Sequence, residues 1–334
     1  MIQKAHQRQR GQYFTEGNPF LFKPFQAWFK LIPQKEQETF LEPFAGANHI
    51  VRLLKEAGIE NSWSCFDLHP PLKKAEGFSV KTQDTLKKFP KGFSVAITNP
   101  PYLAKNSAKR HGLAYPACDY DDVYKYALSL ALEHCDFIAA IVPESFIGSG
   151  ELQERLHSVI TLTSKMFSDT ECPVCLALFV PSSLQKKKAD FVLWDGDTRL
   201  GSYARFHRQV EKVREESRIS WVFNDPKGPI GLRAVDGSFG PSIRFVAGKT
   251  IPSSEIKHSS RILTRISGMP NGIKASDLIQ EANVYLEHYR EQTHDALLTA
   301  FKGLRHDGKY RRRLDFQTAR NILDHCVQKL NLKS

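Results

Sequence analysis

Nowhere in its 334 residues does this chain have an apolar run approaching the length a membrane-spanning helix needs, which excludes a helical membrane protein. The N-terminal Met1–Arg10 is polar and basic with no apolar core behind it, unlike a secretory signal. The expected compartment is therefore the cytoplasm, with no membrane partner. Cysteine is also scarce: six residues, at 65, 118, 135, 172, 175 and 326, are scattered as reduced thiols of a cytosolic protein would be. Cys172-Pro-Val-Cys175 has the spacing of a redox or zinc pair, but no second pair and no nearby His completes a site, and no metal is expected. Acidic residues are short in one region only. Residues 199–334 carry 24 Lys+Arg against 14 Asp+Glu, a net of +10, whereas residues 1–198 carry 23 against 22, a net of +1, together making the chain's +11. A neutral front and a basic back imply an anionic polymer bound mainly by the back.

The pattern along the front half is that of alternating strands and helices. The spacing of Phe22, Phe25, Phe29 and Ile32 predicts a helix over residues 20–31. Thr39–Phe44 reads as a strand, Ala45-Gly46-Ala47-Asn48 as a tight turn, and residues 50–57 as a helix ending at Gly58. That is the opening of a βαβ unit, whose small turn residues let the backbone approach a ligand closely. The full G-x-G-x-x-G is absent: Asn48 stands where a second glycine is usual, and Asn tolerates the left-handed backbone. Residues 62–66 form the next strand, with Asp67 at its end, about 20 residues past the turn, a spacing suited to a ribose. Leu68 and Pro70-Pro71 follow as candidate walls for an adenine ring. A short third strand over 78–81 leads to Asp84, and Phe93–Thr98 makes a buried fourth strand.

That fourth strand stops at Asn99-Pro100-Pro101-Tyr102, because neither proline can donate to a ladder and both fix φ. A carboxamide, two proline-held carbonyls and an aromatic ring thus sit on a stiff loop at a strand's C-terminal end, where open α/β sheets bind ligands. Residues 103–121 read as a long polar loop, 123–134 as a helix, 136–142 as a fifth strand, 151–159 as a helix, and 160–167 and 174–180 as two successive strands. A mostly parallel sheet closed by an antiparallel hairpin follows. The basic run Gln185–Lys188 is the expected boundary, dividing the chain into 1–185 and 186–334. Beyond it come short strand-like pieces with many Gly and Pro turns, a helical pattern from Ala275 to about Gly303, a basic run 302–313, and a closing helix over 316–330.

In order and placement, Gly11-Gln12-Tyr13-Phe14-Thr15, Leu41-Glu42-Pro43-Phe44-Ala45-Gly46, Asp67, Asp84 and Asn99-Pro100-Pro101-Tyr102, with the strand pair around Phe167, resemble the amino-methylating DNA methyltransferases that use S-adenosylmethionine, and more closely the adenine-N6 branch. The resemblance covers roughly residues 11–180. It implies a Rossmann-like methyltransferase sheet, mostly parallel with an antiparallel terminal hairpin, followed by a smaller, basic, mixed α/β target-recognition domain. It also implies roles. Tyr13 and Thr15 would approach the methionine carboxylate of the cofactor, Glu42 its amino group, and Phe44 and Gly46 would line the turn. Asp67 would accept the ribose hydroxyls, Leu68 would flank the adenine, and Asp84 would accept the adenine amine. Asn99, which borders the cofactor as well, and Pro100 would accept both N–H groups of the target amine, with Pro101 stiffening the loop. Tyr102 and Phe167 would stack on the flipped base.

Duplex DNA is then the partner, touched along its backbone by Lys105, Lys109 and Arg110 and by Arg305, Lys309, Arg311, Arg312 and Arg313. A monomer is expected. No nuclease constellation is evident, so a restriction–modification role would require a cognate endonuclease in another protein. Methylation of adenine in structured RNA, of cytosine N4, or of a protein glutamine amide are the competing chemistries, and a DNA-binding module without activity is the competing class.

Overall fold

The computed structural model describes residues 18–70, 79–162, 172–185, 190–211, 219–256 and 260–331. The chain divides into two compact units, residues 1–199 and 200–334.

In the first unit, α1 (Lys23–Phe29) presents Phe25 and Trp28 to the core, and the Trp28 indole N–H donates to the Phe179 carbonyl at 2.9 Å. The elements that follow are β1 (Thr39–Glu42), α2 (His49–Glu56), β2 (Ser62–Asp67), β3 (Val80–Thr82), β4 (Val95–Thr98), α3 (Lys105–His111), α4 (Val123–His134), β5 (Phe137–Pro143), β6 (Leu156–Thr161), β7 (Val174–Phe179), β8 (Val192–Asp195) and β9 (Thr198–Ser202), the last of which runs through the boundary at residue 199. They build one sheet in the order β3-β2-β1-β4-β5-β7-β6-β8-β9. Strands β1 to β5 run parallel; β7 is antiparallel to both β5 and β6, the hairpin the sequence predicts. This is the expected mostly parallel sheet closed by an antiparallel hairpin, extended by β8, which pairs parallel with β6 beyond the basic run 185–188. All residues of β4 and β7 are buried, as strands covered on both faces must be.

The strand order reverses between β1 and β4. The chain steps outward from β1 to β2 and β3, then returns to the other side of β1 for β4 and β5. Loops leaving the carboxyl ends of these two strands must diverge, and the crevice they leave is where such sheets bind ligands.

Three local expectations are corrected. Residues 151–159 are not a helix. Gly150 and Leu152 both take positive φ (71° and 57°), which breaks a helix at its start, and from Leu156 onward the chain pairs with β7. The Leu152, Leu156, Val159 spacing looks helical, but burial in the sheet outweighs it. Residues 103–121 are not simply a loop, since they contain α3, ended by Gly112 at φ 62°, and the segment is closed at its neck by an Ala104–Asp122 bridge. The helix from Ala275 stops at Thr293 rather than near Gly303. His294 and Asp295 are both left-handed (φ 50° and 60°), and a strand follows.

The second unit contains α5 (Tyr203–Glu211), β10 (Val222–Phe223), β11 (Ile230–Arg233), β12 (Arg244–Ala247), β13 (Leu263–Ser267), α6 (Ala275–Thr293), β14 (Thr299–Leu304), β15 (Tyr310–Arg313) and α7 (Phe316–Asn331). A four-stranded sheet in the order β10-β13-β11-β12 buries Ile230, Leu232, Phe245 and Ile266 in one core with Leu278, Ala282 and Leu286 of α6 and Ile322 and Leu323 of α7. Edge strand β12 is protected by Asn283 of α6, whose amide bonds both the N–H and the C=O of Phe245 (2.8 and 2.9 Å). The β14–β15 hairpin holds the basic run 302–313 and meets Val235 through Arg313.

Candidate active site

Because β1, β2 and β4 are parallel, Glu42, Asp67 and Thr98, the last residues of each, lie along one edge of the sheet. Glu42 is the centre of what forms there. Its side chain is fully buried, and Oε1 accepts from the Phe44 N–H at 3.0 Å and from the Thr98 hydroxyl at 2.6 Å. The second bond spans the strand-order reversal and joins the β1 turn to the residue directly before Asn99. Oε2 is buried with no hydrogen-bond partner among the described residues. Burial pushes the Glu42 carboxyl up to about 8; the Thr98 and Phe44 bonds oppose the rise, and the charge of Asp67 adds to it.

The β1 turn is built for close approach. Gly46 and Asn48 both take left-handed backbone (φ 47° and 63°), so Asn48 serves where a second glycine was missed. Asp67 braces this turn. Its Oδ2 accepts from Gly46 N–H at 2.9 Å and its Oδ1 from His69 N–H at 2.7 Å, while each carboxylate oxygen retains a second lone pair. Leu68 beside it is half-exposed. Asp84 is half-buried, pairs with Lys87 at 3.2 Å, and heads a turn whose next residue, Thr85, donates to the Pro43 carbonyl at 2.9 Å. That bond ties the Asp84 loop to the β1 turn.

Past Thr98, Pro100 is buried and Asn99 and Pro101 are half-buried. Tyr102 is only 8% exposed. Its hydroxyl lies 2.7 Å from Asn99 Oδ1 and 2.8 Å from the Ile141 carbonyl of β5, and its ring meets Tyr124 edge-on at 6.1 Å. A hydroxyl has a single proton, and here two oxygens approach it. Both bonds coexist when the Asn99 amide is turned to present its nitrogen, an orientation equivalent in shape. Tyr102 is therefore the strut that ties Asn99 to the neighbouring strand. Burial, and next the thiols of Cys172 and Cys175, hold its hydroxyl well above the ordinary tyrosine range, so it stays protonated. Those thiols are themselves raised by burial, Cys172 to about 11, and behave as neutral side chains. Among the described residues no group of three or more His, Cys, Asp or Glu is placed to hold a metal.

Lys105, Lys109 and Arg110 fall on α3, directly after the Asn-Pro-Pro-Tyr loop, and all three are exposed. The Lys105 ammonium sits 5.7 Å from the Tyr115 ring centroid and 3.4 Å from the Cys118 carbonyl. Tyr13, Thr15 and Phe167 lie outside the described residues.

In the second unit the basic run is less uniform than its composition. Arg305 is buried and pairs with Asp307 (2.7 Å) and, more distantly, with Asp236 (3.6 Å). Arg311 donates to the Asp236 carbonyl at 2.6 Å and covers Phe301. Lys309 is exposed; Arg312 and Arg313 are half-buried. Asp236, which the sequence reading passed over, is fully buried and bound by Arg290 through two 3.0 Å bonds. Burial would raise its carboxyl, but Arg290 and the Ser242 N–H hold it below the usual carboxylate range. Thr98, Thr85 and the Ile141 carbonyl were likewise not foreseen; only the position of Thr98 between strand and motif offered a signal.

No protein-family profile matches the chain, and no curated protein matches it. Among solved structures, the chain is similar to the methyltransferase subunit of a type I restriction-modification system from Streptococcus thermophilus (14% identity, 62% of this chain and 55% of that one, TM-score 0.39). It is also similar to the M protein of the type I restriction enzyme EcoKI (16% identity, 55% and 48%, TM-score 0.39). A third is the type IIG restriction endonuclease BpuSI (14% identity, 65% and 31%, TM-score 0.38). The chain spans about half the length of the first two, 55% and 48%. At these values the likeness carries nothing about activity.

Proposed function

We propose that this chain is a site-specific DNA methyltransferase that transfers a methyl group from S-adenosylmethionine to N6 of an adenine flipped out of duplex DNA, as the modification enzyme of a restriction–modification system. The observation that carries the reading is the Thr98–Glu42 hydrogen bond across the strand-order reversal, which sets a buried carboxyl, one oxygen of which has no partner among the described residues, beside Asn99-Pro-Pro-Tyr. A buried acceptor without a donor is costly, and an ammonium is the donor that restores both the hydrogen bond and the carboxylate charge. On that test the site suits the amino-acid end of S-adenosylmethionine. Glu42 would hold its ammonium, Asp67 its ribose hydroxyls, and Asp84 and Leu68 its adenine. Tyr13 and Thr15 are assigned to its carboxylate by resemblance.

When bound, S-adenosylmethionine supplies a sulfonium methyl, an electrophile that needs only a lone pair aimed at it. The chain's own task is to aim that lone pair. An exocyclic amine is a weak nucleophile because its lone pair is delocalised into the ring. The Asn99 carboxamide oxygen and the Pro100 carbonyl would each accept one of its N–H bonds, localising the pair and fixing its direction. The amine would take the methyl that the bound cofactor would give up with cleavage of its C–S bond, and the extra proton would leave the amine afterwards, so no strong base would be required. Catalysis is then positioning and preorganisation. Tyr102, braced on Ile141, would keep the Asn99 amide in one orientation, with its carboxamide oxygen turned away from the hydroxyl. Its ring and that of Phe167 are the proposed stacking partners. A base inside a duplex cannot reach such a loop and must be flipped out. Lys109 and Arg110 on α3 and the basic second unit would hold the backbone while it is.

Purified chain with methyl-labelled S-adenosylmethionine is expected to label duplex DNA, and Asn99→Ala to abolish transfer while leaving cofactor affinity nearly intact. Label found only on RNA or on protein would overturn the substrate assignment.

A further inference from the structure

The most conspicuous surface feature of the second unit is Phe239, 88% exposed at the tip of the connection between β11 and β12. Leaving a phenyl in water forgoes about 1.5–3 kcal/mol of burial. A single exposed apolar residue is ordinary, but this one is held in place by a built foundation. Asp236 Oδ1 accepts from the Ser242 and Ile243 N–H groups (2.7 and 3.2 Å), and Gly237 N–H donates to the Ser242 hydroxyl at 2.6 Å, so the two ends of the tip are tied together. Arg290 fixes the same carboxylate from below. From the neighbouring β14–β15 hairpin, His306 N–H donates to the Ser238 carbonyl at 2.8 Å, and its ring stands edge-on to Phe239 at 4.6 Å.

The mouth of the same connection carries a second anomaly. Arg233 and Arg244 are directly opposed across β11 and β12, and both are exposed. Like charges in directly opposed strand positions are destabilising. Among the described residues neither arginine has an ion-pair partner. An anion between or beside them removes the repulsion. An aromatic tip above an unneutralised arginine pair, in a segment of net charge +10 over residues 199–334, is complementary to a ligand with both flat rings and regularly spaced anions.

We infer that the β11–β12 connection is the element of the second unit that enters bound DNA, with Phe239 stacked on a nucleobase, His306 supporting it, and Arg233 and Arg244 on the flanking phosphates. The inference rests on the DNA-methyltransferase reading and names the contact that reading leaves open. It also separates two kinds of arginine: Arg305 and Arg311 build the platform, whereas Arg233 and Arg244 face the ligand.

The test is equilibrium binding of the full chain to a fluorescent random-sequence DNA duplex pool over a range of salt. Phe239→Ala is expected to weaken binding roughly five- to 150-fold, the worth of one base–aromatic stack, with the salt dependence unchanged because no phosphate contact is lost. Phe239→Trp is expected to bind like the parent. Arg233→Gln and Arg244→Gln are each expected to flatten the log–log salt slope by about one. All three positions are exposed, so folding is not at risk, and unchanged thermal unfolding checks that. Wild-type affinity for DNA in Phe239→Ala, or unaltered slopes in both arginine variants, overturns this inference and leaves the methyltransferase reading standing. Failure of the parent chain to bind any duplex, or binding of RNA alone, overturns both.

Discussion

Replacing Glu42 with Gln isolates the tension at the centre of the site. The two side chains have the same shape, and Gln keeps an oxygen for the Phe44 N–H and Thr98 hydroxyl that Glu42 Oε1 accepts. What changes is the charge. The Glu42 carboxyl rises from an ordinary 4.5 to about 8 on folding, chiefly through burial. At about 1.4 kcal/mol for each tenfold change in proton affinity, that corresponds to about 5 kcal/mol, to order of magnitude. Between pH 4.5 and about 8 the folded chain retains a proton that the unfolded chain has released. Stability is therefore complete below that interval and declines as pH rises through it. Gln has no proton to lose, so the decline is absent. Urea unfolding across this range is expected to show parent and Glu42→Gln alike at the acid end, with the variant gaining several kcal/mol at the alkaline end. Taking the difference between the two proteins cancels other titrating groups. The same variant is expected to bind S-adenosylmethionine poorly, a more stable fold that works worse. A variant whose pH profile parallels the parent, or that is less stable in alkali, would refute the account of Glu42 as a buried carboxyl awaiting a cation.

Tyr102→Phe removes the strut to Ile141 while keeping the ring. It is expected to slow methyl transfer by about one to two orders of magnitude, the loss of one buried hydrogen bond to a positioned amide, with DNA affinity little changed; single-turnover kinetics beside a binding titration separates the two. Asp236→Asn removes one of the two carboxylates that hold the buried Arg290, leaving Asp295 at 2.8 Å as its remaining counter-charge, and is expected to destabilise the second unit by about 1–3 kcal/mol, read by chemical unfolding. Because the Asp236 carboxyl is held below its ordinary range, the parent's advantage over this variant should persist down to the ordinary carboxylate range and shrink only as pH falls below it.

The centre of the parallel half of the sheet is legible in the chain because its strands β4 and β5 are apolar runs followed by a proline-bearing stop, most plainly Val95–Thr98 before Asn99-Pro-Pro. Since carboxyl ends of parallel strands share an edge, the order of motifs already places Glu42, Asp67 and Asn99 near one another. The contacts that lock them together are hidden for a reason of distance. Thr98 lies 56 residues from Glu42, and Tyr102 lies 39 from Ile141. Local misreadings have a different origin. In residues 151–159 the helical spacing of apolar groups competes with a strand partner, β7, that only tertiary structure supplies. Charge shows the same limit: composition counts Arg305 and Arg233 alike, but Asp307 and the buried Asp236 turn the first into scaffolding.

The central claim is methyl transfer to adenine in DNA. It is tested most directly by expressing the chain in cells that lack adenine methylation and analysing the nucleosides of their DNA. The account predicts N6-methyladenine, confined to one sequence context, and none when Asn99→Ala is expressed instead. DNA without methylated adenine, from cells holding abundant folded parent protein, would contradict it.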